Sequence, residues 1–402
     1  MNESLPFQAV KISEHVYWVG AIDWNLRDFH GYATERGTTY NAFLILADKV
    51  TLIDTVKKPF KDEMLSRIRS VIDPLKIEYI VSNHSEMDHS GCLPEIIDFL
   101  KPKKVFASVR GEKALSGHFR FKDQITPLKT GENIPLGNMN LSVVETPMLH
   151  WPDSMFTFLD SDGVLFSQDG FGMHLATVER FADELPSELL EYEEKKYYAN
   201  IILPYSKMVL STLESFTKLN FPVKIVAPDH GPVWRQGWQK LFELYKKWAM
   251  QKPAKKAVIV YDTMWESTDK MARAISEGIA SVGILTRMMP LKGSHRSNIA
   301  TEVLDAGALI VGSPTLNDNL YPTVADCMTY LKGLKPQNLI GAVFGSYGWN
   351  PAAVEQLKEL LKAMNVELVG EGVKVRYVPD DEALMECRNL GKQVGARLKE
   401  IC

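Results

Sequence analysis

Short hydrophobic runs separated by glycine and aspartate dominate the first 250 residues of the chain. The runs at 16–22, 41–55, 141–146 and 155–169 are apolar or alternate between apolar and polar positions. Such runs, bounded by turn-forming residues, predict strands of antiparallel or mixed sheets. Residues 182–218 instead have apolar positions at helical spacing, which predicts a helix near the end of this sheet-rich region.

The pattern changes near residue 250. The stretch QKPAKK (251–256) combines proline with lysine and is typical of a linker. After it, apolar runs alternate with amphipathic segments; the runs cover 257–262, 286–290, 308–315 and 339–348, and the main amphipathic segments cover 268–283 and 381–400. This alternation predicts a parallel, doubly wound sheet. We therefore expect two domains, residues 1–250 and residues 251–402.

Composition narrows the class of protein. The formal charge of −4 argues against a nucleic-acid binder that works by neutralising phosphates. No apolar run approaches the roughly 20 residues that span a bilayer, and the N-terminus has no secretory signal pattern. Four cysteines occur without a C-x-x-C pair, which is unlike a disulfide framework or a metal–thiolate site. We expect a cytoplasmic protein that acts away from membranes.

A dense group of ionisable residues follows one apolar run. Residues 83–91 read NHSEMDHSG, at a position where a strand should end in a turn. If the backbone stays extended, the side chains of His84, Glu86 and Asp88 lie on one side because they are spaced by two. Taken alone, this window is equally consistent with a solvated loop.

Other candidate ligands stand at the ends of further apolar runs. His150 lies in ETPMLHWPDSM, Asp169 in GVLFSQDGFG and His230 in KIVAPDHGPVW. Imidazole and carboxylate are the usual protein ligands of divalent iron, zinc and manganese. Together the windows predict a two-metal site with the candidate ligands His84, Glu86, Asp88, His89, His150, Asp169 and His230.

The order of these residues resembles the ligand order of the metallo-β-lactamase fold, H-x-[EH]-x-D-H followed by an isolated His, Asp and His. The resemblance implies an αββα sandwich with the metals at one edge. Most hydrolases of that fold have histidine where this chain has Glu86. Glu86, the stretch HWPDSM and an appended flavodoxin-like domain together resemble the flavodiiron proteins, also called A-type flavoproteins or rubredoxin:oxygen oxidoreductases. The resemblance covers essentially all 402 residues.

The resemblance implies a diiron centre. It assigns His84, Glu86 and His150 to one iron, Asp88, His89 and His230 to the other, and Asp169 to a bridge between them. Water could replace His89, and Asn83 and Asp153 are expected to orient ligand imidazoles. Three carboxylates and a bridging hydroxide balance the charge of two ferrous ions, so the reduced site is neutral, which matters because uncompensated buried charge is costly.

The second domain contains three loops that suit a flavin. Its opening, VIVYDTMWESTDKMA, places hydroxyl residues at a helix start, as in a phosphate-binding turn. The loops 312–323 and 345–351 follow predicted strands, and ligands of doubly wound sheets bind at those carboxyl ends. By resemblance to flavodoxins, we expect FMN, with its phosphate on 263–268 and its isoalloxazine between the later loops. The candidate residues are Thr263, Met264, Trp265, Glu266, Ser267, Thr268, Ser313, Pro314, Thr315, Leu316, Asn317, Asn319, Gly345, Ser346, Tyr347, Gly348 and Trp349. Glu266 replaces a usual glycine and is expected to point outward.

The implied function is that of a flavodiiron oxidoreductase. FMN would take electrons from a separate carrier, rubredoxin being the expected donor, and the diiron centre would reduce O₂ to water, NO to N₂O, or both. His30 and one of Tyr197 and Tyr198 resemble pocket residues that hydrogen-bond a bound diatomic molecule; ordinary packing is the competing interpretation. The family implies a head-to-tail homodimer, or a dimer of such dimers.

Two other classes stay open at this point. A binuclear zinc hydrolase of the metallo-β-lactamase fold with an accessory flavodoxin-like domain would prefer histidine at position 86 and has no use for a flavin. A flavodoxin-like electron carrier fused to an inactive metal domain would have lost ligands, whereas all seven positions are filled. The sequence does not rank O₂ against NO, because both substrates would use the same ligands.

Overall fold

The chain forms two units, and its computed structural model describes residues 5–121 and 124–402. One unit comprises the chain up to His30 together with Thr34–Tyr197 and Tyr205–Lys246. The other comprises Gly31–Ala33, Tyr198–Pro204 and Lys247–Cys402. The predicted domain boundary, between residues 250 and 251, is thus close to Lys247. The assignment of the two short early segments to the second unit has no signal in the sequence pattern.

The first 250 residues form sixteen short strands and seven α-helices within the described part of the chain. The strands are β1 Val10–Lys11, β2 Val16–Trp18, β3 Ala21–Asp23, β4 Asp28–Phe29, β5 Tyr32–Ala33, β6 Thr38–Tyr40, β7 Phe43–Ile45, β8 Thr51–Ile53, β9 Tyr79–Ser82, β10 Lys104–Ser108, β11 Ile125–Leu128, β12 Asn133–Pro135, β13 Asn140–Glu145, β14 Met155–Leu159, β15 Val164–Gln168 and β16 Ile225–Pro228. The helices are α1 Lys61–Arg69, α2 Met87–Ser90, α3 Leu93–Leu100, α4 Val109–Phe119, α5 Ser187–Tyr197, α6 Ser206–Leu219 and α7 Trp238–Met250.

Two sheets form the centre of the first unit. Seven strands pair in the order β1-β2-β7-β8-β9-β10-β11, and five pair in the order β12-β13-β14-β15-β16. Strand β7 is buried on both faces: Phe43 joins the core that both sheets share, and Leu44 joins a second core with the helix residue Ile96. On the outside of the smaller sheet, Phe156 of β14 lies 6.2 Å from Phe216 of α6, between ring centroids. The layers are therefore helix, sheet, sheet and helix, and the predicted αββα sandwich is confirmed.

The helix predicted over residues 182–218 is interrupted, so that part of the prediction is wrong. A 3-10 helix at Ala182–Glu184 precedes α5, a π-helical segment covers Tyr198–Ile202, and a 3-10 turn covers Leu203–Tyr205 before α6 begins. The physical reason lies at Pro204. Proline lacks the amide hydrogen that an α-helix requires and disfavours helical backbone in the preceding residue.

The second unit is a doubly wound parallel sheet. From residue 251 onward its strands are β17 Lys256–Tyr261, β18 Leu285–Pro290, β19 Ala308–Gly312, β20 Thr315–Leu316, β21 Asn319–Leu320, β22 Ile340–Tyr347, β23 Glu367–Leu368 and β24 Val373–Arg376. Its helices are α8 Ser267–Ala280, α9 Arg296–Val303, α10 Pro322–Leu334, α11 Ala352–Ala363 and α12 Asp381–Ile401. The sheet order is β18-β17-β19-β22-β23, with β24 also pairing with β22. All these pairs are parallel, and the order is that of flavodoxin-like sheets.

No helix in the described ranges has both the length and the apolar character needed to cross a bilayer.

Helices α8 and α12 pack with their backbones in close contact. A substitution at this contact therefore tests the packing of the second unit. A Cβ on Gly391 of α12 would lie 2.1 Å from the carbonyl oxygen of Ile275 on α8. We expect Gly391→Ala to destabilise this unit by about 1–3 kcal/mol, because neither backbone can move away freely. Gly333→Ala on α10 is the matched control, since no described atom comes within 4 Å of that Cβ. Urea unfolding of both variants measures the difference, and equal stabilities would contradict the packing.

Candidate metal centre and cofactor cleft

The seven candidate ligands stand at the ends of strands or on the short helix α2. His84 follows β9, and Glu86 is the residue immediately before α2, which carries Asp88 and His89. The remaining three follow strands of the smaller sheet: His150 comes after β13, Asp169 directly after β15 and His230 after β16. Loops after strands leave side chains at one edge of a rigid scaffold. The fold therefore brings together residues that are 146 positions apart at the extremes, from His84 to His230.

The ligand atoms fall into two groups. His84, Glu86, His150 and Asp169 offer atoms that all lie within 4.8 Å of one another, and so do Asp88, His89 and His230. Asp169 faces both groups: its Oδ2 lies 2.9 Å from His150 Nε2, and its Oδ1 lies 3.2 Å from His89 Nε2. A carboxylate with one oxygen toward each group has the geometry of a bridging ligand. This is the arrangement that the sequence predicts for two metal ions.

Burial makes this cluster costly without cations. All seven side chains are buried. Within the described residues, both oxygens of Asp88, both ring nitrogens of His89 and Oδ1 of Asp169 make no hydrogen bond. Buried polar atoms in native proteins are almost always satisfied by hydrogen bonds or by bound ions. Apart from His89 Nδ1, which faces Asp229, these unsatisfied atoms belong to the two ligand groups, so the donor set fits two metal ions.

The electrostatics agree with this interpretation. Burial lowers the pKa of His89, but the carboxylates of Asp88 and Asp169 outweigh it and raise the pKa to about 9. Burial also disfavours ionised Asp169, yet His89, His150 and His84 hold its pKa well below the usual value. The cluster thus favours positive charge where its atoms converge, and divalent cations supply that charge.

Partners outside the seven residues orient the imidazoles. Asp153 Oδ2 lies 3.1 Å from His84 Nδ1 and accepts a hydrogen bond of 2.7 Å from the Ser85 backbone. Asn83 does not share this role: in the described structure no hydrogen bond joins its side-chain amide to a ligand imidazole, and its backbone N–H donates to Asp54. Asp229, which the sequence analysis missed, is buried with Oδ2 3.5 Å from His89 Nδ1.

The cofactor cleft of the second unit has a volume of about 500 Å³. It lies at the carboxyl ends of the strands, where ligands of doubly wound sheets bind. Eleven predicted residues line it: Met264, Trp265, Ser267, Pro314, Thr315, Leu316, Asn317, Ser346, Tyr347, Gly348 and Trp349. The sequence analysis missed Asp318, Asn350, Tyr377 and Val378, which also line it. Tyr377 and Val378 follow β24, a strand too short to give a clear hydrophobic pattern in the sequence.

The remaining predicted residues of these loops have other positions. Thr263 has a buried hydroxyl without a hydrogen bond in the described structure, just before α8, as a phosphate site requires. Thr268 Oγ1 lies 3.0 Å from Ser346 Oγ and ties the first loop to the third. Glu266 is exposed and lines a different, smaller pocket.

The other two loops use polar groups to hold their own shape. Ser313 hydrogen-bonds within its loop, and Asn319 donates to the backbone of Asn317. At Gly345 the backbones of two loops approach closely, since a Cβ there would lie 2.2 Å from the Ser313 carbonyl oxygen. These three residues shape the cleft and do not line it.

Comparison with known proteins identifies the family of both parts of the chain. Residues 38–231 match the ODP family beta lactamase and residues 259–391 match the flavodoxin family. The chain is 43% identical over 397 residues to the nitric oxide reductase of Moorella thermoacetica, covering 98% of this chain and 100% of the relative. It is 44% identical over 396 residues to the rubredoxin-oxygen oxidoreductase of Megalodesulfovibrio gigas, covering 98% of each.

Solved structures give the same result. The rubredoxin oxygen:oxidoreductase from Desulfovibrio gigas superposes with a TM-score of 0.96 at 43% identity, covering 98% of this chain and 99% of that one. The flavodiiron protein from Giardia intestinalis gives 0.94 at 32% identity, covering 98% of each chain. The chain belongs to the flavodiiron protein family. It is an oxidoreductase with FMN and a diiron centre as cofactors, and a zinc hydrolase is not favoured.

Beside the ligands of this flavodiiron protein lies a histidine that the sequence analysis missed. His174 is buried, with its ring centroid 4.6 Å from that of His230 and 5.1 Å from that of Tyr197. Its Nδ1 lies 2.8 Å from Thr38 Oγ1. Burial and the neighbouring His230 hold its pKa well below the usual value, so it stays neutral. No short motif surrounds His174, so only its position in the fold indicates a role.

The predicted pocket residues are not equivalent. Tyr197, the last residue of α5, lies in the first unit with its ring centroid 6.2 Å from that of His230. His30 has a largely exposed side chain whose Nε2 lies 3.4 Å from Glu86 Oε1. Tyr198 belongs to the second unit, where its ring packs against Trp248. Of the two tyrosines, Tyr197 is the one whose contacts suit a pocket role.

One asparagine holds the loop that carries His230. Asn41 receives a hydrogen bond of 2.8 Å from Trp18 Nε1 on its Oδ1. Its Nδ2 donates to the carbonyl oxygens of Pro228 and Gly231, at 2.7 and 2.9 Å. Its backbone N–H donates to the Asp229 carbonyl at 2.7 Å. Three hydrogen bonds from one buried residue therefore fix the backbone on both sides of His230.

Removing the side-chain hydrogen bonds of Asn41 should weaken metal binding at one of the two ligand groups. We expect Asn41→Ala to lower the affinity of the Asp88–His89–His230 group by about 10- to 100-fold, the range for residues that orient ligands. The group around His84 should keep its affinity. Calorimetric Fe²⁺ titration of the metal-free protein measures both. Asn140→Ala, at an exposed strand end, is the control, and an unchanged titration of Asn41→Ala would contradict the assignment.

Proposed function

We propose that this chain reduces O₂ to water and NO to N₂O at its diiron centre, with electrons from rubredoxin that enter through FMN. The two relatives named above are an oxygen oxidoreductase and a nitric oxide reductase, which motivates both substrates. The observation that carries the proposal is the shared carboxylate of Asp169 between two buried ligand groups, in a chain that also has a flavin cleft. Its cysteines, three buried and one exposed, have free thiols, which suits the cytoplasmic location that we propose.

Each ligand has a defined task in this proposal. His84, Glu86 and His150 would hold one iron, Asp88, His89 and His230 would hold the other, and Asp169 would contribute to both. When bound, FMN and the two irons supply the electrons, four for one O₂ or two for a pair of NO molecules. The protein orients the His84 imidazole through Asp153, places Asp229 beside His89, and excludes bulk water by burying all seven ligands. His30, His174 and Tyr197 lie beside these ligands, where they would contact a bound diatomic substrate.

The cofactor content and the substrates can be tested together. The protein expressed with ample iron and riboflavin should contain two iron ions and one FMN per chain, and it should consume both gases with reduced rubredoxin. Metal analysis, the visible absorption spectrum and gas electrodes measure this. Two zinc ions and no flavin would contradict the proposal.

Glu86→His should retain the fold but lose gas reduction, because it restores the ligand pattern of the hydrolases. Glu14→His, at an exposed site, should change neither property.

The functional assembly that we propose is a head-to-tail homodimer, or a dimer of such dimers. Each chain leaves apolar side chains exposed at both sites: Trp265 and Trp349 at the flavin cleft are 89% and 83% exposed, and Met87 beside the metal ligands is 48% exposed. Large exposed apolar groups beside a site are typical of surfaces that another protein covers. A dimer in which the flavin cleft of one chain faces the metal centre of its partner would cover both.

Complementation tests this assembly. One chain carries His84→Ala with Asp169→Ala and has no metal centre. The other carries Ser267→Glu, which places an anion where the flavin phosphate would bind. Each should be inactive alone, and a mixture should regain gas reduction because one heterodimer interface combines an intact flavin site with an intact metal centre. If native mass spectrometry confirms subunit exchange and no activity returns, the head-to-tail arrangement is wrong.

A further inference from the structure

One buried amide side chain connects two loops that carry metal ligands. Gln168 is the last residue of β15 and is fully buried, and Asp169 follows it directly. Gln168 is not one of the predicted ligands, yet its side chain makes hydrogen bonds to the backbone beside two of them, Asp169 and His150. Its contacts therefore indicate a role in the metal centre that the ligand pattern does not show.

The backbone at Gln168 has a conformation that glutamine rarely adopts. Its φ is 41°, in the left-handed region. The N–H of Gly170 donates to the carbonyl oxygen of Ser167 at 2.9 Å, so Gln168 and Asp169 form the middle of a tight turn. Glycine, asparagine and aspartate are the residues favoured at positive φ in such turns. The pairing of β15 with β16 is also irregular here, since its register shifts between Phe166 and Gln168. Such conformations persist where other contacts hold them, and they cluster at functional sites.

Both polar groups of the Gln168 side chain make hydrogen bonds to the backbone. Its Nε2 donates to the carbonyl oxygen of Leu149, the residue before the ligand His150. Its Oε1 accepts a hydrogen bond of 2.6 Å from the N–H of Asp169. One amide thus ties the loop of an imidazole ligand to the backbone of the carboxylate that faces both ligand groups.

The main chain of Gln168 makes a third connection. Its carbonyl oxygen accepts a hydrogen bond of 2.8 Å from the N–H of Asp229, the residue before His230. His150 and His230 belong to different ligand groups. The carboxylate of Asp169 approaches both of them, with Oδ2 2.9 Å from His150 Nε2 and Oδ1 3.4 Å from His230 Nε2. Gln168 is therefore bonded to the backbone beside the shared carboxylate and beside one ligand of each group.

We propose that Gln168 is a positioning residue of the metal centre, whose side-chain amide aims the Asp169 carboxylate and holds the His150 loop beside it. The two ligand groups then depend on different amides. The Gln168 side chain supports the group that contains His150, and Asn41 supports the loop of His230. Metal binding shows this role without turnover, whereas its effect on gas reduction rests on the proposed function. Removing one amide should therefore weaken one ligand group more than the other.

Calorimetric Fe²⁺ titration of the metal-free protein tests the positioning role without using activity. Gln168→Met keeps the length of the side chain but removes its donor and its acceptor. Gln168→Gly also removes both, and because glycine suits a φ of 41° it keeps the test valid if the methionine variant fails to fold. Both variants should lower the affinity of the group that contains His150 by about 10- to 100-fold.

The other ligand group should lose less affinity, because the hydrogen bond from Asp229 to the Gln168 backbone remains. His150→Ala identifies the titration step that belongs to its own group, and Asn41→Ala should show the reverse pattern. An unchanged affinity of the His150 group, or a larger loss at the other group, would overturn the assignment.

Gln251→Met is the matched control in the second unit. Gln251 is also buried, has a φ of 45° and accepts a hydrogen bond of 2.8 Å from the N–H of Gln337. The substitution removes a comparable buried amide, and both titration steps should stay as in the wild type. A loss of metal affinity as large as that of Gln168→Met would point to general destabilisation and would count against the proposal.

Electron paramagnetic resonance of the iron-loaded, half-oxidised centre tests the aim of the bridge. At excess iron the signal of the coupled pair should change in Gln168→Met and Gln168→Gly, because coupling depends on the geometry of the bridging ligand. O₂ turnover should also fall by about tenfold or more. A role in stability alone would leave the signal of the folded protein unchanged, and that result would overturn the positioning role. A wild-type protein that gives both titration steps and the signal but reduces neither gas would contradict the proposed function alone.

Discussion

Mutual compensation of buried charge is the constraint on which the first unit depends. Three carboxylates and four imidazoles converge at one edge of the sandwich, and none of them is solvated. Ionised carboxylates in such a position are tolerated only when positive charge balances them. The raised pKa of His89 and the depressed pKa of Asp169 express that balance in protons. Two metal ions provide the same balance with defined geometry, so burial, charge and ligand chemistry lead to one conclusion.

The scaffold keeps these ligands in place through backbone hydrogen bonds to loops. His230 shows the principle: its Nδ1 lies 2.6 Å from the Thr39 carbonyl oxygen, and Asn41 holds the loop on both sides. Gly231 continues this loop with a φ of 80°, a conformation that side chains with a Cβ rarely adopt. The strand segment 38–41 thus specifies the position of a ligand almost 190 residues later. Ligand precision comes from this second layer of contacts as much as from the ligands themselves.

Helix α5 combines structural and chemical roles. It ends at Tyr197 because Pro204 prevents a continuous helix into α6, and a π-helical segment takes up the chain between them. π-Helical segments often occur at functional sites. The end of α5 places Tyr197 against the histidines. An apparent irregularity in the sequence pattern therefore lies directly after the tyrosine whose ring packs beside His174 and His230.

The amino-acid sequence by itself predicted the two-part fold class and the metal-ligand candidates, and its resemblance to known families added the iron and the flavin loops. These features are local: strand runs of period two or of continuous apolar character, ligands at fixed short spacings, and hydroxyl residues at a helix start. The residues 84–89 supply four candidate ligands within six positions, so no knowledge of distant packing was needed to notice them.

Tertiary structure alone decided the features that depend on distant partners. Asn41, Asp229 and His174 look ordinary in sequence, and they matter because strands far apart in the chain bring them against the metal centre. Glu194 is the clearest case, since it is buried although EYEEKKYY reads as a solvated charged helix face. The helical spacing of apolar residues shows that one side of such a helix faces inward. The residues that pack against that side decide whether a carboxyl group on it is solvated or buried. The physical reason is that desolvation depends on three-dimensional neighbours, which are not encoded at any fixed spacing along the chain.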